Sequence, residues 1–258
     1  MLPLVVRRII AVLLFAFVGA LCMGVLYTYR NAIRAYLFSN EVTVTIPEGS
    51  TAEHIDALLV EKGVITVPGS FTEFAHTQDK EGYLFPDTYR FHRETAPQAV
   101  IDRLTRTFNE KAGPLLKQSL SDAREIVIMA SLLEREVPDH TDRRIVAGVL
   151  FKRLRADKLL QVDASLCYLK DLATSSERTP CYPLTRLDLQ TDSPYNTYLY
   201  KGLPPGPIGN PGLDALQAAL DAQPSPYWFY LSDPATGRTI FSTTGEEHEA
   251  NRKKYLGD

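Results

Sequence analysis

Apolar residues run unbroken from Ile9 to Tyr27 (IIAVLLFAFVGALCMGVLY), 19 positions without a charge. A helix rising about 1.5 Å per residue would carry this stretch roughly 28 Å, close to the hydrocarbon thickness of a bilayer. Arg7 and Arg8 precede it, and Arg30 and Arg34 follow. The positive-inside bias is therefore nearly tied. Residues 1–8 are placed in the cytoplasm because so short a segment cannot be the working part. The run continues past Val18-Gly19-Ala20, a passable cleavage site. A retained anchor over residues 9–27 is therefore expected, with a cleaved signal peptide as the rival. Either way the remainder lies outside the cytoplasm.

Beyond the anchor the period changes. Val42, Val44 and Ile46 alternate with Thr43 and Thr45, as in a strand with one apolar face. Pro47-Glu48-Gly49 turns the chain. Ser50 with Glu53 opens a helix carrying Ile55, Leu58 and Leu59, and Gly63 stops it. Val64 and Ile65 start a second extended piece. The polar residues 67–80 read as a linker between a small unit over 41–66 and a larger domain over 81–258. In the larger domain, Thr95 and Gln98 announce a helix with Val100, Ile101, Leu104 and Phe108 on one face. Asp122 with Glu125 caps the next, to about Glu136, and another runs from Asp142 to about Arg155. Leu159–Gly212 is rich in Pro, Gly, Tyr, Asn and Thr, a long loop of the kind that usually carries function. A short helix over Leu213–Ala222, a hairpin (Tyr227–Leu231 and Arg238–Ser242) and a polar tail helix over Glu246–Tyr255 complete the pattern. The fold class expected is α+β: a transmembrane helix, a small α+β module and a catalytic domain with a helical lobe.

Composition narrows the function. Lys plus Arg is 28 against 31 Asp plus Glu, a net charge of −3, which argues against a nucleic-acid partner. The five histidines lack metal-ligand spacing, and no HExxH, CxxC, P-loop or GxSxG occurs, so neither a metal nor a cofactor is expected. Cys22 lies in the anchor. Cys167 and Cys181 either bridge, in an oxidising compartment, or stay as two buried thiols.

The helix from Arg124 to Glu136 is the most informative. Ile126–Leu133 is apolar except for Ser131, so the helix is buried. Glu134 shares a side with Ala130 and Val127 and stands near the helix end. Desolvation and the helix dipole should both raise its pKa, as a proton donor to a leaving oxygen requires. The competing reading is a carboxylate that faces water or forms a plain ion pair with Arg135 or Arg143. Glu136 lies on a different face and reads as solvated.

This run, Ala130-Ser131-Leu132-Leu133-Glu134-Arg135-Glu136, resembles the catalytic helix of the endolytic murein transglycosylases, the MltG (YceG-like) family. Four further blocks agree in order: Glu81–Tyr89 (EGYLFPDTY); Val146–Leu154 with Leu160–Asp163 (LQVD); Ser193–Tyr198 (SPYNTY); and Gly202–Ile208 (GLPPGPI) with Asn210–Gly212 (NPG). The similarity covers roughly Glu81–Tyr255, and the 41–66 unit resembles a reduced LysM-like module.

The resemblance implies a lyase that cuts the β-1,4 bond between MurNAc and GlcNAc inside nascent glycan strands, without water, leaving 1,6-anhydroMurNAc ends. It places the catalytic carboxyl on Glu134 and implies Gln161, Asp163, Tyr195, Asn196 and Glu81 as substrate-binding residues. Each keeps a structural alternative: Asn and Asp cap turns, Tyr packs, and Glu81 forms a hydrogen bond or ion pair. It further implies peptidoglycan as partner, complexes with peptidoglycan synthases, and a single-pass protein of the cell membrane with its catalytic domain on the extracytoplasmic side. A hydrolytic muramidase and a non-catalytic peptidoglycan-binding scaffold are the alternatives.

Overall fold

The computed structural model describes residues 40–119, 121–174 and 181–257, together with Pro3, Phe15, residues 17–31 and Ile33. Residues 17–31 are helical and exposed. Among the described residues no helix is long and apolar enough to cross a membrane. Residues 9–14 and 16 of the expected anchor lie outside the described residues.

Strand β1 (Glu41–Thr45) runs antiparallel to β2 (Thr88–His92), with Val44 opposite Tyr89 and Val42 opposite Phe91. Helices α1 (Ala52–Glu61) and α2 (Ser70–Thr77) pack on this ribbon. The first half of α3 (Pro97–Lys111) completes the core through Val100, Ile101 and Leu104. The same helix sends Phe108 into a second core, so α3 belongs to both.

Two expectations change here. Residues 67–80, read as a linker, contain α2, whose Phe71 is fully buried. Its N-terminus is capped by Asp56, whose carboxylate accepts from the amides of Gly69 (2.8 Å), Phe71 (2.9 Å) and Thr72 (3.4 Å). A cap supplied from another helix leaves no local sequence signature. Val64 and Ile65, expected to start a second extended piece, are buried without forming a strand; β1 pairs with Thr88–His92, whose alternating Tyr89 and Phe91 match its buried face.

The second core is helical. A short turn, α4 (Gly113–Lys117), leads to α5 (Ala123–Glu136), capped by Asp122 as its sequence indicates. Ile126–Leu133 are all buried. Helix α6 (His140–Arg155) begins at a cap on Asp139, three residues earlier than expected. Within the long loop, Asp163–Thr174 forms helix α7 and Arg186–Leu189 a single turn, α8. Cys167 of α7 is joined to Cys181 by a disulfide. Helix α9 (Leu213–Leu220) lays Ala215, Leu216, Ala218 and Ala219 against this core. The hairpin β3 (Phe229–Ser232) and β4 (Thr239–Ser242) follows, and α10 (Gly245–Tyr255) closes the chain.

The loop over residues 204–212 is stitched to both cores. Ser131, the lone polar residue in the apolar run of α5, accepts from Ile208 N at 3.0 Å and donates to Ile128 O at 2.7 Å. Arg135 donates to Ile208 O at 2.9 Å. Asn210 donates to Ser50 O and to Glu81 Oε1 and accepts from Leu84 N. A rigid wall therefore joins α5 to the β1–α1 turn.

Candidate active site

Two acidic residues close α5, and their surroundings differ. The Glu134 side chain is 4% exposed, and both carboxylate oxygens are engaged. Oε1 pairs with Arg143 Nη2 at 2.7 Å, and Oε2 accepts from Gly212 N at 2.9 Å. Arg143, 5% exposed, also donates to Asp214 (2.8 Å) and to Val137 O (2.7 Å). Burial pushes the Glu134 pKa up, while the Gly212 amide and Arg143 pull it back. This is the ion-pair alternative of the sequence reading, sealed between α5, α6 and the start of α9.

Glu136 ends the helix on another face, half-buried. Its Oε2 accepts from Ala164 N, in the first turn of α7, at 3.3 Å. The C-terminus of α5 thus meets the N-terminus of α7, one disfavouring a carboxylate and the other favouring it. Burial pushes the Glu136 pKa up to about 7, and the nearby negative charge of Asp163 adds to the rise. The Ala164 amide, the Tyr230 hydroxyl and the charge of Arg153 oppose it. A carboxyl that exchanges its proton near neutrality suits general acid–base work.

The neighbours form one cluster. Asp163 accepts a short hydrogen bond from the Tyr198 hydroxyl. The buried Tyr230 hydroxyl lies close enough to Glu136 to lower its pKa, but not in full hydrogen-bond geometry with any described residue. Tyr182, largely exposed, stands close enough to feel the charges of Glu136 and Asp163. Arg153 is buried and ties α6 to the hairpin, donating to Trp228 O at 2.9 Å and to Leu160 O at 2.6 Å. A cleft of about 610 Å³ adjoins this cluster through Arg153 and Gln161, with Lys158, Lys201, Trp228 and Phe229 along its walls.

The expected site residues therefore divide. Asp163 stands by Glu136, and Gln161 lines the cleft. Gln161 is exposed, at a positive φ of 52°, its amide held by Thr197 O at 3.0 Å. Asn196 does not line the cleft. It is fully buried, donates to Leu189 O and Thr191 O, and accepts from Tyr198 N. Its role is to shape the loop that delivers Tyr198 to Asp163. Tyr195 packs on Tyr168 with ring centroids 5.1 Å apart, and its hydroxyl sits over Gly206, away from Glu136. Glu81 is 7% exposed, caps the first turn of α1 through Ala52 N (3.0 Å) and accepts from Asn210 (2.7 Å). Sequence reasoning missed Glu136, Tyr198, Tyr230 and Arg153. The signal for Tyr198 was present in the SPYNTY block. For Glu136 it was Pro138, which ends the helix and leaves the last turn open to α7.

The sequence matches the YceG-like family over residues 26–254. The chain belongs to this family. Curated relatives of this YceG-like chain are named endolytic murein transglycosylase. The one from Bacillus subtilis (strain 168) is 34% identical over 180 residues, covering 68% of this chain and 48% of the relative. The one from Streptococcus pneumoniae serotype 2 (strain D39 / NCTC 7466) is 30% identical over 179 residues, covering 68% and 32%. This YceG-like chain thus matches a third to a half of those relatives' length. Its fold is also similar to a crystal structure of a yceG-like protein from Listeria monocytogenes, with a TM-score of 0.65 and 29% identity, covering 81% of this chain and 75% of that one.

Proposed function

We propose that this protein is an endolytic lytic transglycosylase of peptidoglycan, and that Glu136, rather than Glu134, is its acid–base group. The observation that carries the assignment is the contrast at the end of α5. Glu134 has a guanidinium on one oxygen and an amide on the other. Glu136 has one long amide contact and shares its surroundings with Asp163, Tyr198 and Tyr230.

In this reading the protonated Glu136 gives its proton to the glycosidic oxygen as the MurNAc C1–O bond breaks. The resulting carboxylate then takes the proton of the MurNAc C6 hydroxyl as that oxygen bonds to C1. The proton count closes on one side chain, and no water is consumed. A hydrolase would need a second carboxylate. Asp163 is near enough to raise the Glu136 pKa, which keeps a muramidase as the second reading. The Asp163–Tyr198 pair is assigned to hold charge and hydroxyl beside the developing oxocarbenium.

The other parts of the proposal are a single-pass anchor over residues 9–27, a catalytic domain on the extracytoplasmic face of the cell membrane, and a reduced LysM-like module over 41–66 whose core is completed by α2, β2 and the first half of α3. Nascent glycan strands are the substrate and peptidoglycan synthases the partners. Support comes from the apolar N-terminal run, the exposed apolar helix at residues 17–31 and the names of the curated relatives. The test is chain length: purified full-length protein given uncrosslinked glycan strands should cut internally and shift the whole length distribution downward. Unchanged lengths would identify a scaffold, and loss of terminal disaccharides alone would contradict endolytic cutting.

The acid must be protonated to act. Activity (kcat/KM) should therefore fall as pH rises through about 7, the raised value of Glu136. Asp163→Asn removes a negative neighbour, so its falling limb should lie at lower pH than wild type. A limb that does not move would show that Asp163 is not coupled to the acid.

A further inference from the structure

Three side chains from three segments, Glu81 among them, converge beside the wall loop. Glu53 comes from the first turn of α1, His76 from the end of α2, and Glu81 from the turn after α2. One donor atom from each lies within 4.8 Å of the others. Glu53 Oε1 and His76 Nε2 are 3.1 Å apart and share a hydrogen bond, whose proton a bound ion would replace. Two ligands each about 2.1 Å from a metal stand roughly 3.0 Å apart in an octahedron and 3.4 Å in a tetrahedron, so this pair already spans a coordination edge.

A second observation points to a missing partner. Glu53 Oε2 is buried on a side chain 11% exposed; the Thr51 hydroxyl and the Glu53 amide lie close enough to lower its pKa, but neither meets it in full hydrogen-bond geometry. A buried carboxylate oxygen without a partner is costly and calls for an explanation such as an ion. Glu81 is held by Ala52 N and Asn210, yet each carboxylate oxygen keeps a further lone pair. Access is open: Glu53 and His76 line a cleft of about 730 Å³ with Asp56, Glu61 and Glu73, and its lining holds no lysine or arginine. The Asp56 carboxylate is already used by the α2 amides, so it adds charge rather than a ligand.

We propose that Glu53, His76 and Glu81 form a binding site for a divalent transition-metal cation, with one imidazole and two carboxylates as ligands and water in the open positions. One nitrogen and two oxygens suit Zn²⁺ or Mn²⁺ better than Ca²⁺. The ion would cross-link α1 and α2, and through Glu81 and Asn210 it would brace the 204–212 wall. The role is structural and lies apart from the Glu136 cluster, so it stands or falls independently of the proposed reaction.

The test uses metal-free full-length protein in detergent, with ZnCl₂ added near neutral pH. Calorimetry should show one equivalent bound, and Tm should rise with zinc. Glu53→Gln keeps the shape and removes the charge on the orphaned oxygen, and His76→Ala removes a half-exposed imidazole that should not be needed for folding. Each should weaken zinc binding by about tenfold or more, in the range seen when a metal site loses a supporting group, and should abolish the zinc-dependent Tm rise. No zinc-dependent rise in wild type would overturn the proposal. So would binding that survives unchanged in both variants, which would place the ion elsewhere.

Discussion

Glu136→Gln is expected to lower strand cleavage by about 10²–10⁴-fold, the usual worth of a positioned acid–base group. Glutamine preserves the acceptor for the Ala164 amide but cannot give up or take a proton. Glu134→Gln should stay within about tenfold of wild type, because both oxygens of the Glu134 carboxylate are already engaged, by Arg143 and by the Gly212 amide. The reverse ranking would return the role to Glu134. Stability separates a lost proton donor from a damaged fold. The Glu136 pKa is raised from 4.5 to about 7 on folding, so the native state holds the extra proton between those values. Native stability must then fall as pH rises through that window, and the loss is complete above about 7. Glu136→Gln removes this dependence. Above neutrality it should be at least as stable as wild type, measured by thermal melting across pH.

The second large effect is on stability. Arg143→Met should cost about 3–5 kcal/mol, the penalty of leaving a buried charge without its partner. For a chain of this size that is a Tm drop of roughly 6–20 °C. Arg143 serves two carboxylates at once, Glu134 and Asp214, and its own side chain is 5% exposed. Asp214 retains His140 at 2.7 Å, so Glu134 bears most of the loss. Adding Glu134→Gln to Arg143→Met should recover part of the stability, since the stranded charge is gone, and the two substitutions should couple strongly in a double-mutant cycle. Simple additivity would mean that the pair contributes nothing as a pair.

Much of the fold was legible in the sequence. The apolar run of α5 and the Asp122 cap are local signals, as are the alternation of β1 and the turn residues Asp233–Gly237 of the hairpin, and the structure follows them. What was not legible depends on distant partners. Helix α2 is capped by Asp56 from another helix, and the partner of β1 lies beyond it in the chain. The site shows the same division. Asp163 lies near Glu136 and Gln161 lines the cleft, while Asn196 is a loop former, as its residue type allows. The placement of Glu134 turned on Arg143. The sequence offers that residue as an ion-pair partner, but only the packing of α6 against α5 brings it within 2.7 Å. Glu136, two residues on, read as solvated because helical periodicity alone does not show that α7 will begin against it.

The central claim is that one carboxyl moves the proton both ways and that the sugar, not water, attacks. It is tested most directly by cleaving glycan strands in heavy-oxygen water and weighing the new chain ends. The account predicts 1,6-anhydroMurNAc ends, lighter by one water than reducing ends, with no heavy oxygen incorporated, and no such ends from Glu136→Gln. Reducing ends that carry heavy oxygen would contradict it and point to a hydrolase in which Asp163 activates water.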